Sequence, residues 1–261
     1  IPEGVPVPLT LSVRSGGTRF RRGDRAKRTV DIVLGGSALA LATPAIAVAG
    51  LAVWLEDRKS PLYLGVRSGR GGVAFPMVKL RSMVILADTT RVTSTAADDA
   101  RITRVGQVIR RFKVDELPQL WNVVVGDMSL VGPRPNVPDA VATYTRAEQE
   151  LLTVRPGITD FASIVYSDEG EILRGYSDPD GMYEELIRPG KSKLGLFYIQ
   201  NQSTRLDICI LVLTLLSAVS SSSARRGVGR VLGGLGAPTE LVELTNRAAL
   251  SARQTHSEVL P

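Results

Sequence analysis

Apolar residues run almost without interruption from Asp31 to Leu55, with Ser37 and Thr43 the only interior polar positions and Pro44 beside Thr43. These 25 residues are long enough to cross a bilayer as a helix. Beyond them the pattern changes scale. Tyr63–Val66 and Val73–Leu80 are rich in β-formers and bracket Ser68-Gly-Arg-Gly-Gly72, which predicts two short strands around a turn. Backbone N–H groups in such a glycine cluster can also cradle a phosphate. No strand-to-helix context accompanies it, so a plain hairpin turn is the better reading. Ile102, Val105, Val108, Ile109 and Phe112 fall on one face of a helix over 102–114. A second helix is expected from about Glu116 to Val125, with Pro118 tolerated in its first turn and Gly126 at its end. Pro138–Val154 predicts another helix, stopped by Arg155-Pro-Gly157. Asp207–Ser217 is apolar but too short to span a membrane, and suits an interfacial or core helix. Ser217–Gly229 and Gly233–Gly236 read as linkers, and Pro238–Arg253 as a small appended helix carrying Leu241, Leu244 and Ala248.

Charge refines the reading of the long apolar run. Arg14–Arg28 holds seven Lys or Arg, and Arg58, Lys59, Arg67 and Arg70 follow the run. Basic residues on both flanks draw both ends toward the cytoplasm. Pro44 removes a helix hydrogen bond near the middle, and Thr43 can bond back to a carbonyl and widen the bend. A kinked helix that enters and leaves one leaflet satisfies both features. A spanning helix with a tolerated proline and a buried core helix remain open. The run lies too far from the start, and lacks a cleavage pattern, to be a signal peptide. The expected organisation is a basic leader at 1–26, a re-entrant membrane helix at 27–59, a catalytic domain with interfacial helices at 60–217, and a linker with an appended helix at 218–261. The expected fold class is α+β: membrane-associated, mostly helical, with short β-strands.

Composition then narrows the chemistry. Apolar residues make up 44% of the chain but aromatics only 5%, so aliphatic side chains must fill the core. The net charge of +6 suits an anionic partner. No alternation of basic and aromatic residues supports nucleic-acid binding. Cys209 and His256 are the single cysteine and the single histidine. Disulfides, cysteine zinc sites, Ser-His-Asp catalysis and histidine metal sites are thereby disfavoured. Carboxylates, Lys, Arg and hydroxyls remain.

Asp115 and Glu116 follow the basic pair Arg110-Arg111 and precede Gly132-Pro-Arg-Pro135. On a continuous helix the two carboxylates would point about 100° apart, but at a helix start both can face one ligand. Taken alone, Asp-Glu before an apolar run is also a common helix cap. Acids beside arginines suggest metal-assisted phosphoryl chemistry, because carboxylate and phosphate oxygens are hard ligands that suit Mg2+. Arg110 and Arg134 are the best candidate phosphate clamps, with Lys79 and Arg81 behind them. Against these stand a solvated helix face for Arg110 and Arg111, and a structural role for Arg134 in a proline-locked turn. Asp127 is read as ordering its turn.

Several segments together resemble the bacterial sugar transferases that start glycan assembly on a membrane lipid, the monotopic phosphoglycosyl transferases. They are Lys27-Arg-Thr-Val-Asp-Ile32, Val78-Lys-Leu-Arg-Ser-Met83, Arg101-Ile-Thr-Arg-Val-Gly106, Asp115-Glu-Leu-Pro-Gln-Leu-Trp-Asn122, Gly126-Asp-Met-Ser-Leu-Val-Gly-Pro-Arg-Pro135 and Arg155-Pro-Gly-Ile-Thr159. The similarity covers roughly Lys27–Leu215. Leu80 stands where an aromatic is usual, Phe161 where Trp is often found, and the tail past Ser217 matches nothing.

The resemblance implies transfer of a sugar-1-phosphate from a UDP-sugar to polyprenyl (undecaprenyl) phosphate, with release of UMP. It implies a covalent route in which Asp115 attacks the β-phosphorus, with Glu116 assisting in Mg2+ binding. Pro133, Pro135 and Arg155 would then position the site, and Thr43 and Pro44 would kink the membrane helix. It also implies the bacterial inner membrane, with membrane lipid as a partner and the catalytic domain facing the cytoplasm, and leaves a homodimer open. The rival expectations are a polyprenyl-phosphate hydrolase and an inactive membrane scaffold.

Overall fold

The computed structural model describes residues 24–85, 87 and 95–246. Most of the leader, the segment around residue 90, and the tail with His256 and Ala248 lie outside them. Its first element is one uninterrupted helix, α1 (Asp24–Asp57), 34 residues long with Pro44 inside it. The hairpin-like break expected at Thr43-Pro44 is not there. Pro44 cannot supply an N–H to the residue a turn before it, but Thr43 Oγ1 donates to Leu39 O at 2.8 Å, and the ladder resumes on either side.

One face of α1 lies on the rest of the protein along its whole length. At the N-terminal end Lys27 Nζ donates to Val131 O at 2.9 Å and Asp207 Oδ2 at 2.7 Å, and Arg28 donates to the carbonyls of Val123 and Val124. Buried Asp31 accepts from Ser129 Oγ and from Leu130 N, each at 3.0 Å. Midway, Gly35 abuts Val123, and Ala38, Leu39 and Ala42 join the main core. Near the C-terminal end Val53 packs with Leu80 and Ile109. Glu56 Oε1 accepts from Arg104 N at 3.0 Å, and Asp57 pairs with Arg81. The opposite face is apolar and bare, with Leu41 82% and Val48 71% exposed. None of the described residues covers that face, so α1 lies on the edge of their core rather than inside it.

Strands β1 (Leu62–Ser68) and β2 (Ala74–Leu80) form the predicted antiparallel hairpin, in register Leu62↔Leu80 to Ser68↔Ala74. Its tip is a plain turn in which Gly71 and Gly72 take positive φ, 70° and 77°. Helix α2 (Arg104–Arg111) is capped by Thr103, whose hydroxyl accepts from Gly106 N at 2.9 Å. Only part of its expected apolar face is covered: Ile109 is buried, whereas Val108 and Phe112 are 57% and 70% exposed. A short 3-10 turn (Val114–Glu116) leads into α3 (Gln119–Val125), which ends at Gly126 with φ 104°.

Strands β3 (Ser129–Val131) and β4 (Gly157–Thr159) pair in parallel, Ser129↔Gly157 and Val131↔Thr159. Gly132 and Gly157 meet backbone to backbone. Gly132 N donates to Thr159 O and Gly157 N to Pro133 O, both at 3.0 Å. Between them, α4 is only Pro138–Ala142, not a helix to Val154. Thr145 and Glu148 explain the difference. Glu148 Oε2 accepts from Thr145 N at 2.9 Å, and Thr145 Oγ1 from Glu148 N at 3.2 Å. This capping box starts a new 3-10 turn (Glu148–Thr153) rather than continuing the old helix.

Helices α5 (Phe161–Val165), α6 (Glu169–Ile172) and α7 (Pro179–Met182) then lead through a π turn into α8 (Arg188–Asn201), followed by α9 (Thr204–Val219). The linker expected at Ser217–Gly229 is instead helix α10 (Ser221–Gly234). Ser220 caps it, accepting from Ser223 N at 3.3 Å, so the serine run marks a helix start rather than a spacer. Ala224, Val228 and Leu232, four residues apart, are fully buried. Gly227 packs closely against the Leu213 side chain of α9. With α11 (Thr239–Glu243), Leu241 and Leu244 complete one core that extends past the expected boundary at residue 217. The fold class, mixed helix and strand with one apolar N-terminal helix, is as expected.

Gly157→Ala should cost at least about 2 kcal/mol, because the new Cβ would overlap the Gly132 backbone, which has no room to shift. Its Tm should fall by about 4–8 °C. Gly233→Ala, in open space in α10, should leave Tm unchanged or raise it slightly. Paired thermal denaturation of the two variants checks both.

Candidate active site

The site forms where three distant segments meet. Strand β2 delivers Lys79, the 3-10 turn delivers Asp115 and Glu116, and the turn after β3 delivers Arg134. Asn122 sets the first two against each other. It is almost fully buried, donates from Nδ2 to Pro76 O at 2.9 Å, and accepts at Oδ1 from Val78 N at 2.9 Å. Its amide also reaches Asp127 at 3.2 Å, which gives Asp127 the turn-ordering role expected of it. Lys113, just before the dyad, holds φ 54°, a left-handed conformation that a non-glycine residue adopts at some cost. This sharp reversal ends α2 and turns Asp115 inward.

Glu116 is the hub. Lys79 Nζ lies 3.2 Å from its Oε1, and Arg134 grips both carboxylate oxygens through Nη1 and Nη2. Burial opposes ionisation of Glu116, but Arg134 and Lys79 outweigh it and hold the carboxyl far below the usual range. Glu116 in turn raises Arg134 above the ordinary arginine value. Burial pushes Lys79 below the usual lysine range, against the pull of Glu116.

Asp115 is the opposite case. It is buried at 7% exposure, yet its side chain makes no hydrogen bond among the described residues. Burial, with the adjacent Glu116 charge, raises its pKa, while Lys79, Arg110 and Arg134 pull the other way. One carboxylate is therefore held in its ionised form and committed. Its neighbour is largely buried, makes no hydrogen bond among the described residues and lies in the field of three cations.

Of the residues singled out in the sequence, Asp115, Glu116, Lys79 and Arg134 come together, and Arg110, in the last turn of α2, acts on Asp115 through its charge alone. Arg81 does not join them: its guanidinium is taken by Asp57 at 2.7 and 2.8 Å and by Ser60 O at 2.8 Å. It ties the end of α1 to the hairpin, so its expected phosphate contact gives way to a structural one. Arg155 Nε donates to Gly126 O at 3.1 Å, joining the loops on either side of the site. Pro133 is buried against Gly195 of α8, and Pro135 is buried too, which fixes the backbone that carries Arg134.

Three charged residues near Arg134 had no signal in the sequence. Lys191 of α8 pairs with Glu169, and Asp160 caps α5 by accepting from Ser163 N at 2.7 Å. Burial opposes the Lys191 charge, but Glu169 carries it above the usual lysine range, and burial raises Asp160. They are brought together by packing across long separations, which no local spacing announces.

No group of three or more His, Cys, Asp or Glu residues suited to a metal occurs among the described residues. Mg2+ does not require one, since it is commonly held by one or two carboxylates together with substrate phosphates. The uncommitted oxygens of Asp115 fit that arrangement.

The comparisons can be set beside this geometry. The family described as "Bacterial sugar transferase" matches residues 22–221. The chain is 35% identical over 223 residues to a UDP-glucose:undecaprenyl-phosphate glucose-1-phosphate transferase of Caulobacter vibrioides, covering 84% of this chain and 79% of that one. It is 33% identical over 226 residues to the Escherichia coli protein of the same description, covering 85% and 45%. It is 32% identical over 203 residues to a UDP-N-acetylgalactosamine-undecaprenyl-phosphate N-acetylgalactosaminephosphotransferase of Aeromonas hydrophila, covering 76% and 45%. The chain thus spans less than half the length of the last two.

The two carboxyls should act oppositely on stability. Folding raises the Asp115 pKa, so its ionised form costs stability at every pH above the unfolded value of about 3.9. Asp115→Asn should therefore unfold at a higher temperature than wild type at pH 7, by a margin that shrinks toward pH 4. Folding lowers the Glu116 pKa, so its contribution is present above about 4.3 and lost as pH falls below that. Glu116→Gln should lose about 1–3 kcal/mol at pH 7 and less at pH 3. Thermal melts across that pH range read both signs.

Proposed function

The chain belongs to the bacterial sugar transferase family, and we propose that it transfers a sugar-1-phosphate from a UDP-sugar to undecaprenyl phosphate, releasing UMP. It is a phosphoglycosyl transferase. The relatives' names carry two different sugars, glucose and N-acetylgalactosamine, and share the UDP donor and the lipid acceptor. The observation that carries the reading is the unequal dyad: an ion-locked Glu116 beside an unpartnered, buried Asp115.

In this mechanism an Asp115 carboxylate oxygen attacks the β-phosphorus of the donor. The new acyl-phosphate bond forms as the bond to UMP breaks, and UMP leaves with the electron pair. An oxygen of the lipid phosphate then attacks the same phosphorus, breaks the acyl-phosphate bond and restores Asp115. A carboxylate needs no general base to act as a nucleophile. Its difficulty is repulsion by the donor's phosphates, and Arg134, Arg110 and Lys79 offset it. Mg2+ held by Asp115 together with those phosphates would supply further charge neutralisation; Glu116, expected from the sequence to share the metal, has both oxygens taken by Arg134 and Lys79. Glu116 fixes Arg134 and Lys79 in place, so the cations do not have to reorganise as charge builds on the leaving group.

We also place the protein on the cytoplasmic face of the inner membrane, with the bare face of α1 in one leaflet. Arg28 and Asp57, at opposite ends of α1, are both held by the same folded domain. A spanning arrangement would break one of those two sets of bonds. Exposed Ile208, Val212, Leu215 and Val219 on α9 add a second apolar face for the interface.

A UMP-release assay across UDP-sugars with undecaprenyl phosphate and Mg2+ tests the reaction. UMP together with a lipid-linked product is expected for at least one donor. A water-dependent product, or none, would overturn the reading. Asp115→Asn should abolish release, and Arg134→Lys should lose tenfold or more, or about 1.4 kcal/mol, because an ammonium cannot grip two oxygens of one carboxylate or phosphate. Topology is read separately by replacing Arg25 and Lys59, at the two ends of α1, singly with Cys in a Cys209→Ser background. Both sites should resist an impermeant thiol reagent in intact cells. Labelling of one end only would mean that α1 spans the bilayer.

A further inference from the structure

The dyad turn lies against the long apolar helix. Val114, immediately before Asp115, packs in one small apolar cluster with Ile46, Ala49 and Val53 of α1 and with Val105 and Ile109 of α2. Glu56, near the end of α1, accepts from Arg104 N at 3.0 Å and from Val105 N at 3.3 Å, which fixes the start of α2 on α1. Helix α2 therefore bridges α1 and the dyad.

With Val105 and Ile109 turned inward, a second stripe of α2 faces out. Arg104, Gln107, Val108, Arg111 and Phe112 are all exposed, at the three- and four-residue spacing of one helix face. Val108 and Phe112 are large apolar side chains that no described residue covers. The Arg111 guanidinium stands 5.9 Å from the centre of the Phe112 ring. The stripe holds two arginines and no carboxylate, and exposed Lys113 follows it. Apolar surface flanked by cations is thus open on the helix that leads to Asp115.

We propose that this stripe is the docking surface for the polyprenyl phosphate acceptor: Val108 and Phe112 hold its first isoprene units, and Arg111 and Lys113 draw its phosphate toward the dyad. The proposal rests on the transferase reading above and extends it to the residues that receive the lipid. In the second step a phosphate oxygen of the acceptor must reach the phosphorus carried by Asp115, while the isoprenoid tail stays in the bilayer. Leaving that tail in water is unfavourable in proportion to its apolar area, so an apolar path from the bilayer to Asp115 is needed. Helix α2 supplies one, since it joins α1 to the dyad turn. The charge on the stripe selects the occupant. Cations without an acid match an anionic head, and the two apolar side chains among them match the tail. The nucleotide donor is the poorer occupant, because it has no apolar tail to cover Val108 and Phe112.

The test uses the full chain in detergent micelles, with undecaprenyl phosphate as acceptor and a farnesyl phosphate analogue that carries a photoreactive diazirine near its phosphate. Cross-links should map by mass spectrometry to Val108 and Phe112. The double variant Val108→Ser, Phe112→Ser should raise the KM for undecaprenyl phosphate about tenfold, the size expected for two partly covered apolar side chains. The burst of UMP without acceptor should match wild type, because that step needs no lipid, and so reports an intact dyad and fold. Sedimentation of the variant with phospholipid vesicles should also match wild type. Cross-links confined to other residues, or an unchanged KM for the acceptor, would overturn the surface. So would loss of the burst, which would assign the stripe to the donor or to folding. A rise in KM matched by an equal loss of vesicle binding would overturn it too, making the stripe a bilayer contact only. Failure of the underlying reading looks different: wild-type protein that releases no UMP from any UDP-sugar.

Discussion

The grip of Arg134 and Lys79 on Glu116 is the interaction on which the site depends. It joins a strand, a 3-10 turn and a proline-locked loop that are far apart in sequence. Two cations this close would repel each other without the carboxylate between them. Glu116 therefore acts first as the counter-ion that lets them share one site. With that charge spent on structure, the adjacent carboxyl is free of partners. Asp115 inherits a largely buried site already rich in positive charge and held by a strained residue behind it. The reactivity proposed for Asp115 follows from the commitment of Glu116.

The backbone beneath this cluster admits little variation. Gly132, just past the end of β3, touches Gly157 at the start of β4, and the turn that carries Arg134 leaves from that contact. Buried prolines on either side of Arg134 fix its direction. Helix α1 is part of the same frame. Asp31 bonds to the start of β3, and Lys27 bonds to its end and to Asp207 of α9. The long apolar helix is thus fastened to the strand that leads into the turn carrying Arg134. Under the proposed function, a lipid acceptor and a nucleotide donor would meet at residues whose positions share one support.

Much of this was legible in the sequence. β-formers around a glycine cluster announce the hairpin, and the dyad, Lys79 and Arg134 do converge. The errors have local physical causes. Pro138–Val154 reads as one continuous helix by composition, whereas the spacing of Thr145 and Glu148 is a capping-box start signal inside it. The serines after Ser217 looked like a linker because a helix cap and a spacer draw on the same residues, and the four-residue repeat of Ala224, Val228 and Leu232 was the better clue. Arg81 was misplaced because nothing in a strand tells which carboxylate, 24 residues away, will claim its guanidinium. Lys191, Glu169 and Asp160 were invisible for the same reason, since only tertiary packing makes them neighbours.

The most direct test of the account is a rapid-quench experiment with a UDP-sugar and no lipid acceptor. The account predicts a burst of UMP close to one equivalent per active site. It also predicts a sugar-phosphate adduct on Asp115, found by mass spectrometry and discharged when undecaprenyl phosphate is added. UMP release that occurs only when the lipid is present, with no adduct, would show direct displacement. An adduct on Glu116 would reverse the division of roles between the two carboxyls. Either result would contradict the account.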